Sequence, residues 1–212
     1  MSVSKNLHDQ RQNYTLHELR EDLVSPNPFE QFGWWYEDAT KSEIKEPNAM
    51  VLSTATAEGR PSSRVVLLKS YDPDGFVFYT NYLSRKGKEI NENKLACLLF
   101  FWDKLERQVR IEGTIEKVAV HLSEEYFSTR PYESRLSAIV SEQSAEIASR
   151  QILEDKLEEV KKAGHVHRPD HWGGYVLKPD YFEFWQGRAS RLHDRIVYAL
   201  EEGAWKIKRL AP

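Results

Sequence analysis

Three places in the sequence combine cations with hydrogen-bonding side chains and could therefore form binding sites, and the first two could bind phosphate groups. The first is Arg64-Val65-Val66-Leu67-Leu68-Lys69, followed downstream by Arg85-Lys86. Arginine binds a phosphate dianion through parallel hydrogen bonds and lysine binds it as a point charge, so this group could hold one. Alternation along a strand places Arg64 and Lys69 on opposite faces, which predicts that they serve different groups. The alternative interpretation is a solvated strand end.

The second place consists of Tyr126, Arg130 and Ser134, which are spaced four residues apart. On a continuous helix the three side chains would share one face, but Pro131 is expected to break the helix, so their convergence depends on the turn. A guanidinium, a phenol and a hydroxyl form a suitable cage for a phosphate monoester. An exposed helix end explains the same residues equally well.

The third place is Trp185-Gln186-Gly187, followed by Arg191-Leu192-His193-Asp194-Arg195. So many polar groups between two strands would be costly to bury without a ligand or partner, which favours a site. A metal site is a separate hypothesis for His165, His167 and His171, but no cysteine or carboxylate cluster completes a ligand set, so a surface loop is favoured. The sequence contains no dinucleotide-binding glycine motif, P-loop or nucleophile elbow.

The composition of the 212-residue chain predicts a cytoplasmic protein of one domain. The 30 lysines and arginines against 33 aspartates and glutamates give a net charge of -3, so no broad positive field exists for nucleic acid. The longest apolar run, Leu95 to Trp102, is far shorter than the roughly 20 residues of a membrane-spanning helix. No apolar stretch typical of a secretory signal follows Lys5. Because Cys97 is the only cysteine, no intrachain disulfide can form, which fits a reducing compartment.

Short strands are predicted between Met50 and Val118, where the phosphate-binding candidates begin. They are 51–54, 64–69, 76–80, 95–102 and 108–118, and four more are predicted at 174–177, 182–185, 196–200 and 205–210. Asp72-Pro73-Asp74-Gly75 predicts a tight turn, which makes its flanks a hairpin. Short strands joined by turns favour an antiparallel barrel over a parallel sheet.

Helices are predicted on either side of these strands. The spacing of Thr15 and Glu18 is that of a capping box, which predicts a short helix through about Leu23. A second helix is predicted from Pro28, with aromatic rings on a face that is expected to be core, so that an N-terminal helical segment covers about 15–45. A helical insertion is predicted over about 123–163. Its first helix covers 123–130 and stops at Pro131, and its second begins around Glu146 and is capped by Gly164.

At the three candidate binding places, the sequence resembles the pyridoxine (pyridoxamine) 5′-phosphate oxidase family. The resemblance covers nearly the whole chain, from Arg11 to the terminal Arg209-Leu210-Ala211-Pro212. Its most specific motifs, in shared order, are Leu105-Glu106-Arg107-Gln108-Val109, Trp172-Gly173-Gly174, and Glu183-Phe184-Trp185-Gln186-Gly187 with Arg191-Leu192-His193-Asp194-Arg195.

The resemblance implies a mainly β fold with flanking helices, an FMN-binding split β-barrel of the Greek-key antiparallel type, in a homodimer with FMN at the subunit interface. By position, the implied FMN contacts are Arg64, Val65, Val66, Leu67, Leu68, Lys69, Tyr79, Thr80, Arg85, Lys86, Gln108, Gln143, Ser144, Trp185 and Arg195. The implied substrate contacts are Lys69, Tyr126, Arg130 and Ser134 around the phosphate, and Arg191, Leu192 and His193 around the pyridine ring. Arg191 and His193 are the implied catalytic residues, and no metal is implied.

The implied reaction oxidises C4′ of pyridoxine or pyridoxamine 5′-phosphate, with hydride passing to flavin N5. Oxygen then reoxidises the flavin and hydrogen peroxide is released. The cofactor supplies the redox chemistry, while the protein supplies position and electrostatics. On this interpretation Arg64 faces the flavin phosphate, Lys69 serves the substrate, and His193 orients the ring.

The chain departs from the family pattern at two places. The N-terminal segment reads Arg11-Gln12-Asn13-Tyr14 where the family often has a second arginine and an acidic residue, and Leu136-Ser137-Ala138-Ile139 replaces the usual Ile-Gly-Ala-Trp. Neither departure removes a proposed phosphate ligand. Two rivals remain: a split-barrel flavoenzyme acting on another substrate, and a carrier that binds flavin or pyridoxal phosphate without catalysis.

Overall fold

The computed structural model describes residues 13–212, which form five α-helices, nine β-strands and two 3₁₀ turns. The helices are α1 (Pro28–Lys41), α2 (Arg85–Glu92), α3 (Val120–Thr129), α4 (Tyr132–Val140) and α5 (Gln151–Ala163). The strands are β1 (Ala49–Ala55), β2 (Pro61–Leu67), β3 (Ser70–Asp72), β4 (Gly75–Asn81), β5 (Leu95–Trp102), β6 (Arg107–Lys117), β7 (Trp172–Gln186), β8 (Asp194–Glu201) and β9 (Ala204–Leu210). The 3₁₀ turns are Asp103–Leu105 and Ala189–Arg191.

The strand order is β2-β1-β5-β6-β7-β4-β3, with β8 paired to β7 and β9 paired to β8. The β1–β2, β1–β5, β3–β4, β4–β7, β7–β8 and β8–β9 ladders are antiparallel, with Leu52 opposite Arg64 and Glu183 opposite Val197. The chain divides into two compact units: the first contains the residues up to Pro47 together with 101–110 and 181–212, and the second contains 48–100 and 111–180. Because one domain can contain two compact units, the single domain stays a prediction.

Each unit has its own core of fully buried side chains. In the first unit the core is aromatic, with Phe32, Trp102, Phe182, Phe184 and Tyr198 no more than 1% exposed. In the second unit it is mostly supplied by the inward faces of the strands: Met50, Leu52, Phe76, Phe78, Leu98, Phe100 and Ile111. Burial of each such side chain contributes about 1.5–3 kcal/mol. These two cores fix the strands that carry the candidate site residues.

Helix α1 begins where the sequence predicts. Asn27 caps it by accepting a hydrogen bond from the Phe29 amide at 2.9 Å, and Pro28 occupies the first turn, where a missing N–H costs nothing. Phe32 is fully buried and Phe29 packs edge-on against Phe182, at 5.3 Å between ring centroids. The interpretation of this aromatic face as core is confirmed.

The capping-box helix from Thr15 is wrong, because residues 13–27 contain no α-helix. The carboxylate that accepts from the amides of Thr15 and Leu16, at 3.0 and 3.1 Å, belongs to Glu106 and not to Glu18. An acceptor distant in sequence therefore satisfies these amides, and no helix forms here. The departures at Arg11 and Gln12 lie outside the described residues.

Several other predictions differ in extent. The 72–75 turn joins β3 to β4 as predicted, and Gly164 caps α5 with φ of +71°. The predicted helix from about Glu146 begins at Gln151, and the two strands predicted at 174–185 are one strand, β7, that continues through Pro179. Helices α2 and α4 were not predicted. Within residues 13–212, no helix combines the length and apolar composition needed to cross a bilayer.

Candidate active site

Most of the predicted phosphate-binding residues line one cleft of about 480 Å³ in the second unit, which we call the cation cleft. The turn at Pro131 brings α3 and α4 together at this cleft, so Tyr126, Arg130 and Ser134 converge although no single helix carries them. The full lining is Val65, Val66, Leu67, Lys69, Tyr79, Thr80, Asn81, Lys86, Tyr126, Arg130, Pro131, Ser134, Gln143 and Trp172.

Stacked aromatic rings form one wall of the cation cleft. Tyr126 stacks on Tyr79 with 4.0 Å between ring centroids, and Trp172 lies parallel to both at 6.2 and 5.7 Å. The ammonium of Lys69 lies 5.9 Å from the Tyr126 centroid. Such a wall fixes the orientation of nearby cations without neutralising their charge. Trp172, which the sequence marked only as part of a motif, is therefore also a cleft residue.

Arg130 is held over this wall but is not saturated with hydrogen bonds. Its guanidinium lies 4.6 Å from the Trp172 ring centroid. Its Nη1 atom is buried and has no hydrogen-bond partner. Burial also lowers the pKa of Arg130, although the group stays charged. A buried donor without an acceptor is costly, so the cleft suits an anionic ligand.

Lys86 is the most deeply buried cation of the cleft, with 8% of the residue exposed. Its ammonium donates to Gln143 Oε1 at 2.8 Å and to Thr80 Oγ1 at 3.1 Å. Burial, reinforced by the charge of Arg64, lowers its pKa to about 8. Gly87 allows this position, because a β-carbon there would lie 2.1 Å from the Tyr82 carbonyl oxygen and α2 could not pack so closely. These contacts join three predicted cofactor residues: Thr80, Lys86 and Gln143.

Arg64 does not line the cation cleft but turns to a buried carboxylate, Glu89. Arg64 Nη2 lies 3.2 Å from Glu89 Oε2, and Nη1 donates to the Leu52 carbonyl at 3.2 Å. Arg85 binds the other oxygen of Glu89 and lines a larger cleft of about 710 Å³, together with Gln143 and Ser144. Arg64 and Lys69 thus have different partners, but strand alternation is not the reason, because β2 ends at Leu67 and Lys69 lies beyond the strand. Leu68 is 5% exposed and lines neither cleft.

The remaining predicted residues lie in the first unit, where the rings of Trp185 and His193 contact each other with centroids 4.6 Å apart and planes tilted by 42°. The Tyr14 ring lies 5.9 Å from each of them. The backbone amide of Arg188 donates to His193 Nδ1 at 3.1 Å. Because Nδ1 is the acceptor, the neutral imidazole carries its proton on Nε2.

Arg191 and Leu192 lie exposed on the turn beside His193. Ser190 and Arg191 have φ of +58° and +61°, a left-handed conformation that side chains other than glycine rarely adopt. This conformation sets the direction in which the Arg191 side chain leaves the turn.

Arg195 and Gln108 occupy strands of the first unit. Arg195 Nε donates to Glu183 Oε1 at 2.7 Å, and Arg110 Nη2 donates to the other oxygen at 2.5 Å. Burial would raise the pKa of Glu183, but the hydrogen bonds from these two arginines outweigh it and lower the pKa. Gln108 is half-buried on β6.

The sequence did not identify Glu89, Glu183 or Tyr14 as site neighbours. For Glu89 a signal exists, since Arg85 precedes it by four residues, the spacing of a helical ion pair. The histidines of the metal hypothesis are less informative. The rings of His165 and His167 are 6.4 Å apart, and no group of three potential metal ligands occurs in the described part of the chain.

The sheet with its flanking helices defines a split-barrel protein, and its cation cleft suits an anionic ligand. Residues 36–163 match the family model described as pyridoxamine 5′-phosphate oxidase, and residues 172–212 match the pyridoxine 5′-phosphate oxidase C-terminal dimerisation region. The chain belongs to the pyridoxine/pyridoxamine 5′-phosphate oxidase family, and the predicted family and fold class are confirmed.

Individual relatives agree with this assignment. A protein of Janthinobacterium sp. named pyridoxine/pyridoxamine 5′-phosphate oxidase is 54% identical over 96% of this chain and 98% of its own. A protein of Gloeothece citriformis with the same name is 51% identical over 99% of this chain and 100% of its own. The crystal structure of PhzG from Burkholderia lata 383 in complex with tetrahydrophenazine-1-carboxylic acid has a TM-score of 0.86 at 32% identity, covering 90% of this chain and 95% of that one.

Proposed function

We propose that this protein is an FMN-dependent oxidase that produces pyridoxal 5′-phosphate. Pyridoxine 5′-phosphate and O2 would give pyridoxal 5′-phosphate and hydrogen peroxide; pyridoxamine 5′-phosphate, O2 and water would give the same products and ammonia. Full-length relatives with this name support the proposal. The observation that carries it is the unpaired Nη1 of Arg130 in a cleft shared with Lys69, Tyr126 and Ser134. These donors match a phosphate monoester.

The residues present fit FMN as the cofactor. Arg64, Arg85 and Lys86 supply positive charge for a phosphate that carries about two negative charges near neutral pH. Gln143 and Thr80 add side chains that hydrogen-bond, and they already contact Lys86. The proposed FMN contacts also include Val65, Val66, Leu67, Leu68, Lys69, Tyr79, Gln108, Ser144, Trp185 and Arg195. When bound, FMN supplies the two-electron chemistry that removes hydride from C4′ and reduces O2.

The chain's own residues bind and orient the substrate in this proposal. Arg130, Lys69, Tyr126 and Ser134 hold the phosphate, which fixes one end of the molecule. One phosphate-binding site for FMN and another for the substrate hold the flavin ring against the pyridine ring. Such approximation contributes much of the rate of the reaction. The aromatic wall excludes water from one side of the phosphate.

Arg191, Leu192 and His193 are the proposed contacts of the pyridine ring. The backbone conformation at Arg191 sets the direction in which its side chain leaves the turn. His193 presents an N–H at Nε2, since its Nδ1 accepts from Arg188. We therefore assign His193 the role of a hydrogen-bond donor that orients the ring, and we assign no general base.

The proposed assembly is a cytoplasmic homodimer with FMN at the subunit interface. The match of residues 172–212 to a dimerisation region supports two subunits. The single cysteine, Cys97, suits a reducing compartment. No nucleic acid or membrane partner is proposed.

A coupled peroxide assay tests the function. Purified protein with added FMN is mixed with pyridoxine 5′-phosphate in air, and peroxide and pyridoxal 5′-phosphate are both measured. We expect one peroxide per aldehyde, and no comparable rate with unphosphorylated pyridoxine. A carrier would bind ligand and give no peroxide. An oxidase specific for another substrate would oxidise both pyridoxine 5′-phosphate and pyridoxine slowly.

A further inference from the structure

Glu89 is a buried carboxylate that the proposed reaction does not use. It lies on α2 and is only 3% exposed, and an isolated charge at such a position would be strongly unfavourable. Four donors from three separate segments converge on it: the hydroxyls of Thr54 and Ser62 and the guanidinium groups of Arg64 and Arg85. Both oxygens of the buried Glu89 carboxylate therefore accept hydrogen bonds.

The two oxygens of Glu89 are divided between the two arginines. Arg85, one turn earlier on α2, donates from Nε to Oε1 at 2.8 Å, while Arg64 approaches Oε2 from β2 at 3.2 Å. The same Oε2 accepts both hydroxyls at 2.5 Å. Because Arg85 is bound through Nε, its terminal nitrogens are not taken up by Glu89, and 56% of its side chain stays exposed at the larger cleft.

Glu89 carries a negative charge near neutral pH. Burial would raise its pKa, but the hydrogen bonds from Ser62, Thr54, Arg85 and Arg64 outweigh burial and lower the pKa to about 2. With Lys86, the cluster contains three cations and one anion. The resulting net charge of about +2 matches a phosphate dianion.

We propose that Glu89 is a positioning residue that holds Arg64 and Arg85 in the orientation required to bind the FMN phosphate. This inference rests on the proposed function, since it takes both arginines as FMN contacts. A preorganised arginine loses less side-chain entropy when it binds its anion, so removal of Glu89 weakens binding of the phosphate without touching the ligand. The isoalloxazine ring gains nothing from this arrangement.

The test compares FMN with riboflavin, which carries the same ring and no phosphate. Apoprotein is titrated with each flavin, and fluorescence quenching gives both dissociation constants for wild type, Glu89→Ala and Glu89→Gln. The matched control is Glu154→Gln, because Glu154 accepts from Arg150 Nε at 2.9 Å with the same four-residue spacing on an exposed helix. We expect Glu89→Ala to raise the Kd for FMN about tenfold or more and to leave the Kd for riboflavin unchanged, whereas the control changes neither.

Glu89→Gln keeps one acceptor oxygen and the same shape, so it should fold and should show a smaller loss, about threefold. In an Arg64→Ala/Arg85→Ala background, adding Glu89→Ala should change the Kd for FMN no further, because the positioned groups are gone. An equal increase in the Kd for FMN and the Kd for riboflavin would indicate a merely structural role and would overturn the inference. Wild-type values of both dissociation constants in both Glu89 variants would also overturn it. A wild-type protein that binds neither flavin overturns the proposed function itself.

Discussion

The guanidinium of Arg130 lies 4.6 Å from the ring centroid of Trp172, yet its Nη1 is buried without a hydrogen-bond partner. The ring holds the cation in place but cannot accept a strong hydrogen bond from its edge nitrogen. A phosphate oxygen would remove this deficit. The proposed function therefore predicts that this cleft prefers a phosphorylated vitamer to the free alcohol.

Arg130→Ala should lower kcat/KM for pyridoxine 5′-phosphate by about 10- to 100-fold, the equivalent of the 1.5–3 kcal/mol of a charged hydrogen bond. FMN affinity should stay within about twofold of wild type. Steady-state kinetics and flavin titration measure the two effects. Arg150→Ala, at an exposed side chain on the helical insertion, is the control and should change neither value. Loss of FMN with kcat/KM preserved would reverse the assignment.

Lys86 should make FMN binding depend on pH. Its pKa is lowered to about 8 because burial disfavours the ammonium form, so the group is charged at neutral pH and loses its proton as the pH rises. The FMN phosphate remains a dianion over this range, so the apparent Kd for FMN should increase up to about tenfold between about pH 7 and pH 9. Lys86→Met should bind more weakly at pH 7 and show no such increase. A flat profile for wild type would exclude Lys86 as a charged contact.

Arg191 and Arg64 should separate catalysis from cofactor retention. Arg191→Ala removes an exposed side chain beside His193, so FMN should stay bound while turnover falls severely. Arg64→Ala removes a cation from the cluster around Glu89, so FMN should be lost first, and added FMN should restore much of the rate. The flavin content of purified protein and the rate at saturating substrate and cofactor distinguish the two. Wild-type turnover in both variants would show that the site is elsewhere.

Gln186, which the sequence marked only as part of a motif, should contribute to the stability of the fold. It is fully buried, accepts from Arg107 Nε at 2.9 Å, and donates to the carbonyls of Leu105 and Glu106 at 3.2 Å. Gln186→Ala strands these groups, and we expect the free energy of unfolding to fall by about 3 kcal/mol in urea denaturation. Gln151→Ala, at an exposed helical position, should change it by less than about 0.5 kcal/mol. Equal losses in the two variants would contradict this account.

Local patterns predicted two elements whose stabilising groups are close in sequence, but they missed α2, which Ser84 caps. The turn at 72–75 and the helix from Pro28 follow from neighbouring residues, and both form. The capping box failed because Glu106, about ninety residues away, accepts from the amides of Thr15 and Leu16. Two strands were predicted where β7 is continuous, and Pro179, which lacks the N–H that a ladder normally uses, lies between them.

The sequence predicted which residues form the candidate site better than it predicted which side chains contact one another. Spacing and residue type selected Tyr126, Arg130 and Ser134, and the turn at Pro131 brings them to one cleft. The pairing of Arg64 with Glu89 spans 25 residues and depends on how β2 packs against α2. Sequence periodicity carries no information on such a contact. The resemblance supplied the division of roles, which the experiments above test.

The central claim is that one protein brings FMN and a phosphorylated vitamer together for hydride transfer. The most direct measurement is the absorbance spectrum of purified FMN-loaded protein before and after anaerobic addition of pyridoxine 5′-phosphate. The account predicts that the flavin band bleaches, that it returns when air is admitted, and that pyridoxal 5′-phosphate appears. A flavin band that persists with saturating substrate, or a protein that takes up no FMN even in excess, would contradict it.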